Sequence, residues 1–279
     1  MKYLLVDLGG TKCRATLRDE NNQPLVKPHY NTVPVKNVLE SIKKAMTPYN
    51  SYIDKDTVIK IAVPGLVKNN KIIQLPNLKI KEWDLVKELK RLYHNKILLY
   101  NDLEAAWHGE YKKKNFLLIY ASTGVGGALN GENIEFGRRT TINTKGEIKY
   151  RNVETTLSKE DLKQDEFIIE HLTGGLALGR IAMIKGIELG VNINEYGKEL
   201  DNYAQNNKKA KEVFQEAGSI LGKAIKSYAD KNKITNIVIG GSLGTNTHYF
   251  NAIKKECPNA KKTKFLNSSE AIFQGLLKI

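Results

Sequence analysis

Cysteine is scarce in this sequence: Cys13 and Cys257 are the only two in 279 residues. They make neither a C-x-x-C ligand pair nor a disulfide framework, so the simple reading is a reduced, cytoplasmic chain. Long apolar runs are also missing, and none approaches the ~20 residues needed to cross a bilayer. The chain enters a strand-like pattern at once, which leads us to expect no signal peptide and no membrane partner. The five histidines (His29, His94, His108, His171 and His248) share no metal-ligand spacing. Low-complexity linkers are absent. The formal net charge of +14 raises the question of nucleic acid, but the lysines are scattered. Short clusters occur at 112–114, 208–209 and 261–262, and no aromatic-interleaved basic stripe or binding motif accompanies them. The expectation is no nucleic-acid partner, and a lysine-rich solvated surface that attracts anionic substrates.

What is present is organised around Leu4–Leu17. A short apolar run ends in Asp7, and Gly9, Gly10 and Thr11 then lead into a second alternating run. This reads as a tight hairpin whose glycines let backbone N–H groups approach an anion, with Asp7 placed to hold a divalent cation beside it. Leu117–Leu129 repeats the pattern, with Ser122, Thr123, Gly124, Gly126 and Gly127 at and after its tip. Two such hairpins suggest a duplicated unit with a phosphate held between the halves; two ordinary hairpins are the alternative.

Further along, strands are expected at 25–33, 57–63, 71–75, 96–100 and 234–239, and helices at 37–46, 83–93, 103–111, 166–189, 197–229 and 268–278. The strand at 96–100 delivers Asn101 and Asp102 to the start of a helix, an N-cap geometry at a strand's carboxyl end. The strand at 234–239 runs into Gly240, Gly241 and Ser242, a common resting place for a nucleotide. At 279 residues the chain accommodates two domains of ordinary size. The expected division is 1–110 and 111–267.

Five motifs in this order resemble the ROK family of sugar kinases, within the actin and hexokinase superfamily. They are Asp7-Leu-Gly-Gly-Thr-Lys12, Pro64-Gly65 with Pro76-Asn77-Leu78 and Trp83, Asn101-Asp102-Leu-Glu-Ala-Ala106, Ser122-Thr-Gly-Val-Gly-Gly127, and Ile237-Val-Ile-Gly-Gly241. Ser122 stands where the family usually has glycine. The resemblance implies an α/β fold of two similar ribonuclease-H-like (actin-like ATPase) domains with a cleft between them, the helix at 268–279 rejoining the first domain. It also implies ATP-dependent phosphorylation of a hexose, most simply glucose at its 6-hydroxyl. N-acetylmannosamine, N-acetylglucosamine and fructose are alternative acceptors.

By resemblance Asp102 is the general base. The sugar residues are Gly65, Asn77, Asn101, Asp102, Glu147, Tyr150 and Glu170. Asp7, Gly9, Gly10, Thr11, Lys12, Thr123, Gly124, Gly126, Gly240, Gly241 and Ser242 serve ATP. Asp7 is the Mg²⁺ residue, acting through water, and Lys12 or Arg14 supplies positive charge. The departures matter too. Tyr150 replaces the histidine of the family's Gly-Glu-x-Gly-His, and the zinc cysteines are missing, so no zinc site is expected. Glu170 lies 23 positions after Glu147, a spacing compatible with a sugar-binding role. Family repressors carry a helix-turn-helix ahead of the first loop, which here begins at Asp7. That makes a sensor the lesser reading, beside a non-sugar kinase or ATPase on the same fold. Family members are often dimers, so a homodimer is a further expectation.

Overall fold

The computed structural model describes residues 1–110, 115–143, 166–188, 196–265 and 267–279. Glu147 and Tyr150 lie outside the described residues. The chain divides into two compact units, Met1–Lys112 with Asn267–Ile279, and Lys113–Leu266. Each has its own hydrophobic core.

In the first unit, β1 (Lys2–Leu8), β2 (Lys12–Asp19) and β3 (Asn31–Pro34) form an antiparallel meander, followed by α1 (Val38–Met46). Then come β4 (Val58–Val63), a three-stranded side sheet of β5 (Leu66–Lys68), β6 (Lys71–Leu75) and β7 (Ile80–Trp83), α2 (Leu85–Leu89), β8 (Ile97–Asn101) and α3 (Asp102–Glu110). The main sheet has the order β3-β2-β1-β4-β8, with β1, β4 and β8 parallel. Leu4 to Leu8 and Ile59 to Val63 are buried without alternation, because central parallel strands are covered on both faces.

The second unit runs β9 (Phe116–Ala121), β10 (Val125–Leu129), β11 (Glu132–Asn133), α4 (Phe136–Arg139), β12 (Thr141–Asn143), β13 (Glu166–Ile168), α5 (Glu170–Thr173), α6 (Gly175–Ile184), α7 (Tyr196–Ala204) and α8 (Lys208–Lys231). It ends with β14 (Asn236–Gly240), α9 (Gly241–Gly244), α10 (Thr247–Glu256) and β15 (Ala260–Lys262). Its sheet order, β11-β10-β9-β14-β15, repeats that of the first unit strand for strand, with β9, β14 and β15 parallel. The fold is thus the duplicated α/β arrangement that the motifs imply. The final helix, α11 (Ser268–Lys278), packs on α3 and β1 of the first unit. No helix of the described residues is long and apolar enough to cross a membrane.

Four expected elements are corrected. The strand at 25–33 is confined to Asn31–Pro34, where pairing with β2 begins. The helix at 83–93 is α2 alone: Trp83 pairs with Ile72 in the side sheet, and Asp84 caps α2 by accepting the Lys87 N–H at 3.0 Å. The apolar 166–168 segment is a strand because it finds Thr141–Asn143 as an antiparallel partner, and Gly174 separates the two helices that follow. The span 197–229 is two helices, because Asn207 caps the second through the Ala210 N–H at 3.1 Å.

Candidate active site

Asp7 stands near the carboxyl end of β1, opposite Arg14 in the register, and is 6% exposed. Its Oδ2 accepts a hydrogen bond from the Ser269 hydroxyl, and Arg14 Nη1 donates to that same Oγ at 2.6 Å. Burial pushes the Asp7 carboxyl up from its ordinary range, while Ser269 and the Arg14 charge pull it down. Ser269, fully buried in the first turn of α11, was not visible in the sequence as a site residue.

Just beyond Asp7, the first hairpin turns through Gly9, Gly10 and Thr11, closed by the Gly9 N–H on the Lys12 carbonyl at 2.8 Å. Among the described residues the N–H groups of Gly10 and Thr11 have no partner. The second hairpin matches it. The Ser122 N–H is on the Gly124 carbonyl at 2.8 Å, and the N–H groups of Thr123 and Gly124 have no partner among the described residues. Each turn therefore exposes two successive backbone donors, the arrangement that receives an anion. Gly126 sits one step away, inside β10 and opposite Tyr120. Lys12 is exposed at the start of β2, whereas Arg14 is committed to Ser269.

Asn101 and Asp102 mark the junction of β8 and α3. Asn101, 4% exposed, is the residue that caps the helix. Its Oδ1 accepts from the N–H groups of Leu103 at 2.9 Å and Glu104 at 3.1 Å, and its Nδ2 donates to the Gly65 carbonyl at 2.8 Å. Asn101, a sugar residue by resemblance, thus has its amide engaged with backbone. Asp102 is left as the group beside it, partly buried, with Oδ1 accepting from the Leu103 N–H at 2.9 Å. Burial first, and the charge of Asp7 second, push the Asp102 carboxyl up to about 7. Gly65 occupies a place no side chain fits, since a Cβ there would lie 2.0 Å from the Gln74 carbonyl oxygen. Asn77, in the turn after β6, is exposed.

In the second unit, Gly240 and Gly241 carry β14 into α9, and Gly241 has φ +85°, which only glycine adopts without strain. Ser242, exposed on α9, borders an open cavity of about 380 Å³ with Asp201, Gln205, Thr245, Asn246, Thr247 and His248. Asn246 Nδ2 donates to Asp201 Oδ1 at 2.7 Å across this wall. Asp201 and His248 had no motif to announce them. Glu170, at the start of α5, turns to the second hairpin: its Oε2 accepts the Val125 N–H at 3.0 Å and its Oε1 faces Arg138 Nε at 3.4 Å.

The family model for the ROK family matches residues 3–143. The chain belongs to the ROK family. No curated protein matches the sequence. Among solved structures, the ROK family glucokinase from Streptomyces griseus, in complex with glucose and AMPPNP, has a TM-score of 0.74 at 18% identity, covering 100% of this chain and 98% of that one. The Lmo2764 protein of Listeria monocytogenes, a putative N-acetylmannosamine kinase, has the same TM-score at 17% identity, with coverage of 100% and 98%. A ROK family transcriptional regulator, a homologue of the E. coli MLC protein, gives 0.69 at 15%, covering 99% of this chain and 80% of that one. At these identities the likeness establishes the fold.

Within this ROK-family chain the matched span contains Asp7, both hairpin tips and Asp102, whereas Glu170 and Gly240–Ser242 lie beyond it. The residues fit a nucleotide and a divalent cation. The hairpins present paired donors to phosphate, and Asp7 is a buried carboxylate whose like-charged neighbour Asp102 gains from a cation nearby.

Proposed function

We propose that this ROK-family chain transfers the γ-phosphoryl group of ATP to the 6-hydroxyl of a hexose, with Asp102 as general base. The observation that carries the reading is the placement of Asp102 at the junction of β8 and α3, beside a helix cap that fixes its backbone; burial and the charge of Asp7 raise its carboxyl to about 7. A base of that strength is ionised in a substantial fraction at neutral pH and yet takes a proton readily. Phosphoryl transfer is otherwise a matter of positioning and charge neutralisation.

In this reading the sugar hydroxyl donates its proton to Asp102 as its oxygen attacks the γ-phosphorus, and ADP leaves. Asn101 acts through structure, holding Asp102 at the helix start and fastening the Gly65 turn. Asn77 and the Gly65 turn are the proposed sugar contacts of the described residues, with Glu147 and Tyr150 the proposed contacts outside them. Sugar epimers are told apart because the wrong one leaves polar groups of the closed site unpaired. The N–H groups of Gly10, Thr11, Thr123 and Gly124 bind phosphate oxygens, and the adenosine lies along Gly240–Ser242 and the adjoining cavity. Asp7 would hold Mg²⁺, which would supply charge neutralisation on the phosphates.

The test is ATP- and Mg²⁺-dependent ADP release with glucose, mannose, fructose, glucosamine, N-acetylglucosamine and N-acetylmannosamine, with the product identified by ³¹P and ¹³C NMR. A hexose 6-phosphate is the expected product. Tight sugar binding with no turnover of any sugar contradicts the kinase reading and favours a sensor.

A further inference from the structure

We infer that Glu170 is a positioning residue for the second phosphate-binding hairpin, and that its carboxylate serves the nucleotide rather than the sugar. The inference rests on the kinase reading for the identity of that ligand. Three contacts carry it. Glu170 Oε2 accepts the Val125 N–H at 3.0 Å, on the β10 side of the turn. Oε1 faces Arg138 Nε at 3.4 Å, so the charge is balanced by a guanidinium from α4. On the other side of the turn, the Gly175 N–H, at the start of α6 and five positions beyond Glu170, donates to the Ser122 carbonyl at 2.7 Å.

The α5–α6 segment therefore grips the hairpin at both shoulders, Ser122 and Val125, and leaves the tip donors of Thr123 and Gly124 uncommitted. Gly124 is part of the fit: a Cβ there would lie 2.4 Å from Glu170 Oε2, so the carboxylate lies directly against the backbone. With its side chain 19% exposed and a donor on each oxygen, Glu170 is anchored where it stands. A turn whose two shoulders are fixed presents its tip N–H groups in one orientation, which lowers the ordering cost of binding a phosphate. Arg138 offsets the repulsion that a bare carboxylate would exert on that phosphate.

The experiment compares Glu170→Ala and Glu170→Gln with the wild-type enzyme. ATP with Mg²⁺ and a hexose are titrated separately by calorimetry, and KM for each is measured in turnover. Glu170→Ala is expected to weaken ATP binding about tenfold or more, with hexose affinity unchanged within about twofold. Glu170→Gln keeps an oxygen acceptor for the Val125 N–H and is expected to recover most of the lost ATP affinity. Should the alanine variant fail to fold, Glu170→Met, which keeps the side-chain length and removes both acceptor oxygens, carries the same comparison.

Weakened hexose binding with ATP affinity intact overturns the inference and returns Glu170 to the sugar site. Loss of both affinities, or of neither, overturns it as well. If wild-type enzyme binds ATP but no hexose, it is the kinase reading that fails, and the ATP titrations still judge Glu170.

Discussion

Asn101 donates a hydrogen bond to the carbonyl oxygen of Gly65 at 2.8 Å, joining the end of β8 to the turn that follows β4. The same amide caps α3, so one buried side chain fixes both the helix that begins at Asp102 and a neighbouring turn. Asn101→Ala removes a cap and a buried hydrogen bond, and is expected to cost about 2 kcal/mol in urea unfolding. Asn101→Asp keeps the cap acceptor but loses the bond to Gly65. It also adds a carboxylate next to Asp102, so its deficit is expected to grow as pH rises.

The glycines of the site divide into two kinds. Gly65→Ala drives a Cβ to 2.0 Å from the Gln74 carbonyl oxygen, and a loss of more than 3 kcal/mol in thermal or chemical unfolding is expected. Gly10 has open space where a Cβ would go. Gly10→Ala is therefore expected to fold within about 0.5 kcal/mol of wild type while raising the KM for ATP, because the added methyl stands beside the donors meant for phosphate.

Arg18, 4% exposed, makes a paired contact with Glu270, Nη1 to Oε1 and Nη2 to Oε2, each at 2.7 Å. This fastens α11, and Ser269 with it, to β2. Burial alone would raise the Glu270 carboxyl, but the Arg18 bonds and charge outweigh it and hold the carboxyl below its ordinary range. The stabilisation is thus present above the unfolded glutamate value and lost as pH falls through the lower folded value. Glu270→Ala strands a buried guanidinium and is expected to cost about 3 kcal/mol at pH 7, with the difference from wild type shrinking in acid.

Asp102 works in the opposite sense. Its folded value of about 7 lies above the ~3.9 of an unfolded aspartate, so the folded state holds an extra proton between the two. Stability is expected to fall as pH rises through that window, by at most about 4 kcal/mol once complete. Asp102→Asn removes the effect. The variant is expected to match wild type near pH 4 and to exceed it in unfolding free energy at pH 8. Equal stability of the two proteins across that range contradicts the raised carboxyl.

The duplicated sheets are legible in the sequence because each hairpin is local: apolar runs on either side of a glycine turn, at Asp7–Arg14 and again at Ala121–Val125. Asp102 is legible for a related reason, since a strand that ends in Asn-Asp before a helix places a carboxylate at a strand terminus. Contacts made across the chain are not. Ser269 reaches Asp7 over 262 positions, and a serine in a helix's first turn carries no sign of it. The 166–168 strand exists because 141–143 pairs with it, and its apolar residues fit a helix equally well in isolation. Glu170 is legible as a position in a motif, but its contact with Val125 depends on how α5 returns to the hairpin.

The most direct test of Asp102 as the base is hexose-dependent ADP release by wild type and Asp102→Asn across pH 5 to 9, with ATP and Mg²⁺ saturating and hexose varied. Wild-type kcat/KM for the hexose is expected to rise with pH and level off no higher than about 7, as the carboxyl loses its proton, because a bound cation favours the ionised form. The asparagine variant is expected to bind ATP normally and to lose at least about a hundredfold in kcat. A variant that retains turnover within a fewfold of wild type, or a wild-type profile flat from pH 5 to 9, contradicts Asp102 as the base.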